Sequence, residues 1–218
     1  MSNDQWAAVD EFFAKHLIEH DAALESALKN SDAAELPAIQ VAPHEGKFLQ
    51  ILAKSIGARR ILEIGTLGGY STIWLARALP AGGSLISLEF EPKHAEVATQ
   101  NLKNAGLDHV AEIRVGPALE NLPLLSGDFD FIFVDADKQN NPHYFEWALK
   151  LSHPGTLIVV DNVVRGGKVG DPDNDEPDVV GVKRMFEMIA AEPRVTASAI
   201  QTVGKKGYDG FALIRVDR

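Results

Sequence analysis

Phe129-Asp130-Phe131-Ile132-Phe133-Val134-Asp135 and Thr156-Leu157-Ile158-Val159-Val160-Asp161-Asn162 decide the fold. Each is a short apolar run, rich in β-branched or aromatic residues, that stops on an acid. Runs of this length and composition read as strands buried on both faces, the pattern of a parallel sheet. Asp135 and Asp161 then emerge at the carboxyl ends of strands in one sheet, the edge at which open α/β sheets bind ligands. Two carboxylates and the Asn162 amide oxygen gathered there make an oxygen-only donor set, which suits Mg²⁺, Mn²⁺ or Ca²⁺.

Working outward, short apolar runs alternate with helical periodicity from residue 59 onward. Strands are expected at 60–63, 84–89, 111–115, 130–134 and 156–160, and helices at 70–79, 92–105, 118–122 and 142–151. That alternation implies right-handed βαβ units, and so a mainly parallel sheet with helices on both faces. A long polar, glycine- and proline-rich stretch at 165–177 is a candidate wall for a site. A helix at 179–191 follows, then strands at 195–203 and 210–216 joined as a hairpin. Before the core, Trp6, Val9, Phe12, Phe13, Leu17 and Ile18 recur at helical spacing. A second helix is expected over 21–34, and a third opens at Pro43 and stops at Gly57. The reading is one domain, with 1–57 as a helical cap and 58–218 as a Rossmann-like core.

Composition narrows the function. The chain has 218 residues, 45% hydrophobic and 24% charged, as expected of a soluble globular protein. No apolar stretch approaches the roughly 18–20 residues of a membrane helix. Cysteine is absent, so disulfides and thiolate metal sites are excluded. The start is acidic and polar, unlike a signal peptide, which makes the cytoplasm the expected compartment. Net charge is −10, from 31 acidic and 21 basic residues, and the basic pairs Arg59-Arg60 and Lys205-Lys206 are too small to argue for nucleic acid.

Glu63-Ile64-Gly65-Thr66-Leu67-Gly68-Gly69-Tyr70-Ser71 joins an expected strand to an expected helix. Glycine there allows close backbone approach to a ligand. Leu67 breaks the GxGxxG dinucleotide fingerprint. Glu89 closes the next strand, where an acid can accept from ribose hydroxyls. A ribose-bearing cofactor without a pyrophosphate fits, and S-adenosylmethionine is one, with Glu63 placed to help hold its ammonium end. A cofactor beside a divalent cation points to group transfer.

At this point the motifs resemble a known family. Glu63 to Ser71, Gly116-Pro117-Ala118, Phe131-Ile132-Phe133-Val134-Asp135-Ala136-Asp137-Lys138 and Asp161-Asn162 are similar to the cation-dependent O-methyltransferases, which include the catechol and caffeoyl-CoA enzymes and bacterial relatives. The likeness runs from about Gln40 to the C-terminus. It implies a class I methyltransferase sheet of seven strands with the last antiparallel, and a homodimer. By matching position, Asp135, Asp161 and Asn162 resemble the metal ligands. Val41, Glu63, Gly65, Thr66, Ser71, Glu89, Ala118 and Asp137 resemble cofactor contacts, with Gly69 and Asp135 in the same set. Lys138 matches the lysine assigned as catalytic base. Three positions depart from the plant pattern, all on the substrate side: Arg165 replaces a tryptophan, Gly166 an asparagine and Asn141 a tyrosine.

Each residue also has a plainer reading. Asp135 and the Asp161-Asn162 pair are of the types that cap turns after strands, and Asp137 and Lys138 suit a solvated loop. Yet a dication and a sulfonium disfavour a neighbouring ammonium, which makes Lys138 a reasonable base. His44, His143 and His153 share no ligand spacing, and no Gly-x-Ser-x-Gly element supports a serine hydrolase. Trp74 and Trp147 read as packing residues, whereas Trp6 on the first helix is a candidate substrate contact. The function expected is transfer of a methyl group from S-adenosylmethionine to a hydroxyl of a vicinal-dihydroxy aromatic small molecule. Alternatives are methylation of a hydroxylated tRNA uridine, a NAD-dependent dehydrogenase and a non-catalytic nucleoside-binding module.

Overall fold

The computed structural model describes residues 3–218. Its strands form a seven-stranded sheet in the order β3-β2-β1-β4-β5-β7-β6. Two compact units divide the chain: Phe12–Leu125, and Ser126–Arg218 with the residues up to Glu11.

In the first unit, β1 (Arg60–Ile64), β2 (Ser84–Glu89) and β3 (Ala111–Val115) pair in parallel, Leu62 opposite Ile86 and Ile86 opposite Glu112. The helices α2 (Ala22–Ala33), α3 (Pro43–Ser55), α4 (Tyr70–Ala76), α5 (Pro92–Asn104) and α6 (Ala118–Asn121) belong to this unit. Ile61, Leu62, Ile64, Leu85 and Leu88 are almost fully buried, which is why these strands read as continuous apolar runs. Asp21 caps α2 by accepting from Ala23 and Leu24 N–H, both at 3.0 Å, and pairs with Arg77 at the end of α4. Gly57 ends α3 as expected. Its φ of 65°, with Gly57 N–H donating to Lys54 and Ala58 N–H to Ala53, makes a Schellman motif.

In the second unit, β4 (Phe129–Val134) and β5 (Ser152–Asp161) pair in parallel. β7 (Gly207–Val216) pairs antiparallel with β5, and β6 (Val195–Gly204) pairs antiparallel with β7, so β7 alone runs against the direction of β4 and β5. Strand β5 begins four residues earlier than the expected 156. The register slips between Phe129 and Phe131, and Thr156 Oγ1 donates to the Phe129 carbonyl at 2.6 Å across the slip. Pro154-Gly155, with Gly155 at φ 101°, disguises this start as a turn. The hairpin is tighter than expected: Gly204 pairs with Gly207, leaving Lys205-Lys206 as a two-residue turn. The unit also holds α7 (Asn141–Lys150) and α8 (Pro177–Ala191). The first helix, α1 (Asn3–Leu17), leaves Val9, Phe12, Phe13 and Leu17 exposed.

Candidate active site

In the second unit, the β4–β5 register puts Val134 opposite Val160. One step further along each chain come Asp135, just past the end of β4, and Asp161, the last residue of β5. Asp161 is 6% exposed and ends β5, and Asn162 turns away at φ 56°, its N–H donating back to Asp161 Oδ1 at 2.7 Å. Lys138 donates from Nζ to Asp135 Oδ1 at 2.8 Å and is itself only 5% exposed. A buried lysine nitrogen bonded to a partly buried carboxylate is not the solvated lysine of an ordinary loop.

The turn carrying Lys138 is a short 3-10 segment, Lys138–Asn140, packed on α8. Gly181 makes that packing possible, since a Cβ there would lie 2.3 Å from the Lys138 carbonyl oxygen. Asp137 accepts from Tyr144 Oη at 2.5 Å and from Asn140 Nδ2 at 2.6 Å. Burial first, then the bond to Asp137, pushes the Tyr144 phenol up, so it stays a neutral donor that orients the carboxylate. Asn141 is fully buried, and neither polar atom of its amide has a hydrogen-bond partner among the described residues.

The donor chemistry here fits a hard divalent cation: two carboxylates on neighbouring strand ends, with an amide on the next residue. No cluster of three or more His, Cys, Asp or Glu poised for a metal occurs among the described residues, and this set, with only two carboxylates, is not one. The stretch after Asn162 is ordered rather than open. Residues Arg165–Gly170 form a 3-10 segment with Gly166 and Gly167 at positive φ. Arg165 pairs with Asp178 at 3.0 Å, and Lys168 with Glu176 at 2.7 Å.

In the first unit, Glu63 is completely buried at the end of β1. Its Oε1 accepts from Ser71 Oγ at 2.6 Å, and its Oε2 from Thr72 Oγ1 at 2.5 Å and Ser87 Oγ at 2.6 Å. Three hydroxyls thus satisfy a charge that would otherwise be costly to bury. Thr66 Oγ1 lies 2.5 Å from Ser87 Oγ, which extends the network to the glycine-rich turn. Glu89 closes β2 and stitches the same turn: its Oε2 accepts from Thr66 N–H at 3.0 Å and Leu67 N–H at 2.7 Å, and its Oε1 from Glu91 N–H at 2.9 Å. Gly65 has φ 98° and Gly69 φ 78°. Gly68 answers a packing need that its place in the motif hides, because a Cβ would fall 2.1 Å from Ser31 Oγ on α2. Ala118 opens α6 just after Gly116, whose N–H donates to the Glu89 carbonyl at 2.8 Å. Val41, 5% exposed, precedes α3.

So Val41, Glu63, Gly65, Thr66, Gly69, Ser71, Glu89 and Ala118 lie in one unit. Asp135, Asp137, Lys138, Asp161 and Asn162 lie in the other. Gly181 and Tyr144 were not singled out from the sequence. A glycine inside an apolar helix and a tyrosine in an amphipathic one carry no local signal of what they touch.

A family model described as O-methyltransferase matches residues 15–216. The chain belongs to the O-methyltransferase family. Two curated relatives named catechol O-methyltransferase cover almost the whole chain. That of Mycobacterium tuberculosis is 53% identical over 95% of this chain and 94% of its own. That of Niastella koreensis is 51% identical over 98% of each. Among solved structures, an O-methyltransferase from Bacillus cereus in complex with SAH superposes with a TM-score of 0.98 at 55% identity, covering 99% of this chain and 100% of that one. The seven-stranded sheet is therefore the Rossmann-like sheet of S-adenosylmethionine-dependent methyltransferases, and this O-methyltransferase is an enzyme of that class. The dehydrogenase alternative falls with that membership.

Proposed function

We propose that this O-methyltransferase methylates one hydroxyl of a vicinal-dihydroxy aromatic small molecule in the presence of a divalent cation, Mg²⁺ first among the candidates. Asp135, Asp161 and Asn162 would hold the cation. The observation that supports the reading is the β4–β5 register, in which Asp135 and Asp161 follow the paired Val134 and Val160, with Lys138 Nζ 2.8 Å from Asp135 Oδ1. The names of the curated relatives support the acceptor class. When bound, the cation supplies an electrophile that acidifies and orients adjacent oxygens of the acceptor.

The chain's own residues do the rest. Glu89, through the Thr66 and Leu67 N–H groups, fixes the turn that faces the methyl donor, and a ribose diol would share its oxygens. Glu63 acts through Ser71, whose hydroxyl it orients. Asp137 is held as a fixed carboxylate by Tyr144 and Asn140. As the neutral amine, Lys138 Nζ would take the acceptor's hydroxyl proton, and Asp135 would stabilise the ammonium that results. The phenolate oxygen forms its bond to the methyl carbon as the carbon–sulfur bond breaks, and the pair of electrons stays on sulfur. Sulfonium and oxyanion become two neutral products, so a water-poor setting favours the step.

The same reading makes the protein a cytoplasmic homodimer, with the exposed apolar residues of α1 as the surface a second copy would cover. No helix among the described residues is long and apolar enough to cross a membrane. Turnover of a catechol with S-adenosylmethionine tests the reading. It should cease in EDTA and return with added Mg²⁺, and full turnover in EDTA would refute the cation requirement.

A further inference from the structure

The Asp161-Asn162 turn is built so that its own backbone has to be held. Asn162 and Arg165 both lie at positive φ, 56° and 55°, a region that side-chain-bearing residues rarely adopt. Four successive N–H groups need acceptors here, and each has one. Asn162 N–H donates to Asp161 Oδ1 at 2.7 Å, and Val163 N–H to the Gly210 carbonyl at 3.0 Å. Val164 and Arg165 N–H both donate to Asp209 Oδ1, each at 3.0 Å. The same oxygen accepts from Gly210 N–H, also at 3.0 Å. One carboxylate oxygen on β7 therefore gathers three backbone donors, two of them from the turn that follows Asp161. Gly210 is what lets β7 come so close: a Cβ there would lie 2.1 Å from the Ile200 carbonyl oxygen and 2.8 Å from Val164 Cγ2.

We infer that Asp209 is a positioning residue for the Asp161-Asn162 pair, fixing the direction in which these two side chains present their oxygens. The inference rests on the proposed role of that pair as cation ligands. Asp209 and the turn belong to the same unit. Hydrogen-bonded partners that orient ligands in this way commonly change metal affinity by about 10–100-fold.

Direct Mn²⁺ binding, followed by the loss of the free-ion electron paramagnetic resonance signal, separates the two layers. Asp161→Ala tests the ligand reading itself: it should lose Mn²⁺ binding, and wild-type binding would remove the ground on which the inference stands. With Asp161→Ala behaving as expected, Asp209→Ala should weaken Mn²⁺ by at least about 10-fold. Asp209→Asn, which keeps an acceptor oxygen of the same shape, should recover most of that loss. Affinity for S-adenosylhomocysteine should stay within twofold in both variants. In turnover, the Mn²⁺ concentration for half-maximal rate should rise while kcat at saturating Mn²⁺ holds. A folded Asp209→Ala that binds Mn²⁺ as the wild type does would overturn the positioning role while leaving the ligand assignment intact. Should Asp209→Ala not fold, Asp209→Ser, which is too short to reach all three N–H groups, decides in its place: Mn²⁺ affinity lowered about threefold or more with S-adenosylhomocysteine binding unchanged supports the role, and unchanged affinity for both refutes it.

Discussion

Gly181→Ala tests whether helix packing places the proposed base. The added Cβ would lie 2.3 Å from the Lys138 carbonyl oxygen, 2.7 Å from Gln139 Cα and 2.9 Å from the Gln139 carbonyl oxygen. All three are backbone atoms, so no flexible side chain can swing aside. Ordinary contact begins near 3.4 Å, so α8 and the Lys138–Asn140 turn must part by about 1 Å. Overpacking of this kind costs about 1–3 kcal/mol. For a chain of this size that lowers Tm by about 2–12 °C. The turn is the lighter partner, and Lys138 rides on it. A displacement near 1 Å at a reacting group can lower the rate on the order of 10²-fold. The assay is kcat for a catechol at saturating S-adenosylmethionine, with calorimetric binding of S-adenosylhomocysteine as the control. Expected are a kcat lower by about 10–100-fold, a reduced Tm and cofactor binding within twofold of wild type. A variant that melts several degrees lower but keeps full kcat would show that the α8 contact stabilises the fold without placing Lys138, and the reasoning would fail.

Two further expectations follow from the same geometry. Lys138→Met keeps the length of the buried stem and removes the proton acceptor, so kcat should fall by about 10²–10⁴-fold with little change in cofactor affinity, and a loss below tenfold would exclude Lys138 as the base. His153 donates toward Asp130 Oδ1 at 2.9 Å and the Pro154 carbonyl at 2.8 Å, and these two bonds, the Asp130 one first, raise its pKa. The stability this contributes is fully present below the unfolded value near 6.5 and is lost as pH rises through the higher folded value. Melting curves from pH 5 to 9 should therefore show a larger gap between wild type and Asp130→Asn at the acid end, and a gap that is constant with pH would contradict the pairing.

Much of the fold was legible because parallel strands buried on both faces write themselves as unbroken apolar runs. The 131–134 and 157–160 segments, and the acids that end them, are of that kind. The start of β5 was hidden by Pro154-Gly155, which reads as a turn in any single sequence, although His153 N–H donates to Thr156 Oγ1 within the strand and Thr156 Oγ1 donates to the Phe129 carbonyl across the slip. The positions proposed as donors were legible for the same reason as the strands: Asp135 and Asp161 sit where the apolar runs stop. The residues that hold those donors were not. Asp209 meets the Asp161-Asn162 turn only because β7 runs antiparallel to β5, a pairing that brings together positions 45 residues apart, as in the Val164–Asp209 bond. Gly181 and Gly68 are glycine because of atoms on other elements, Lys138 and Ser31, and such tertiary reasons leave no local pattern. The glycine-rich turn was read for its approach to a ligand, whereas Gly68 answers to α2, and Glu89 to the turn's own N–H groups.

The most direct test of the whole account is anomalous scattering from a crystal soaked in Mn²⁺ with S-adenosylhomocysteine. The account predicts one strong peak with oxygens of Asp135, Asp161 and Asn162 at about 2.1–2.3 Å, and Lys138 Nζ within a few ångströms of it. Density for S-adenosylhomocysteine on the Glu63–Glu89 turn with no Mn²⁺ peak at these three residues, and their side chains directed apart, would contradict it.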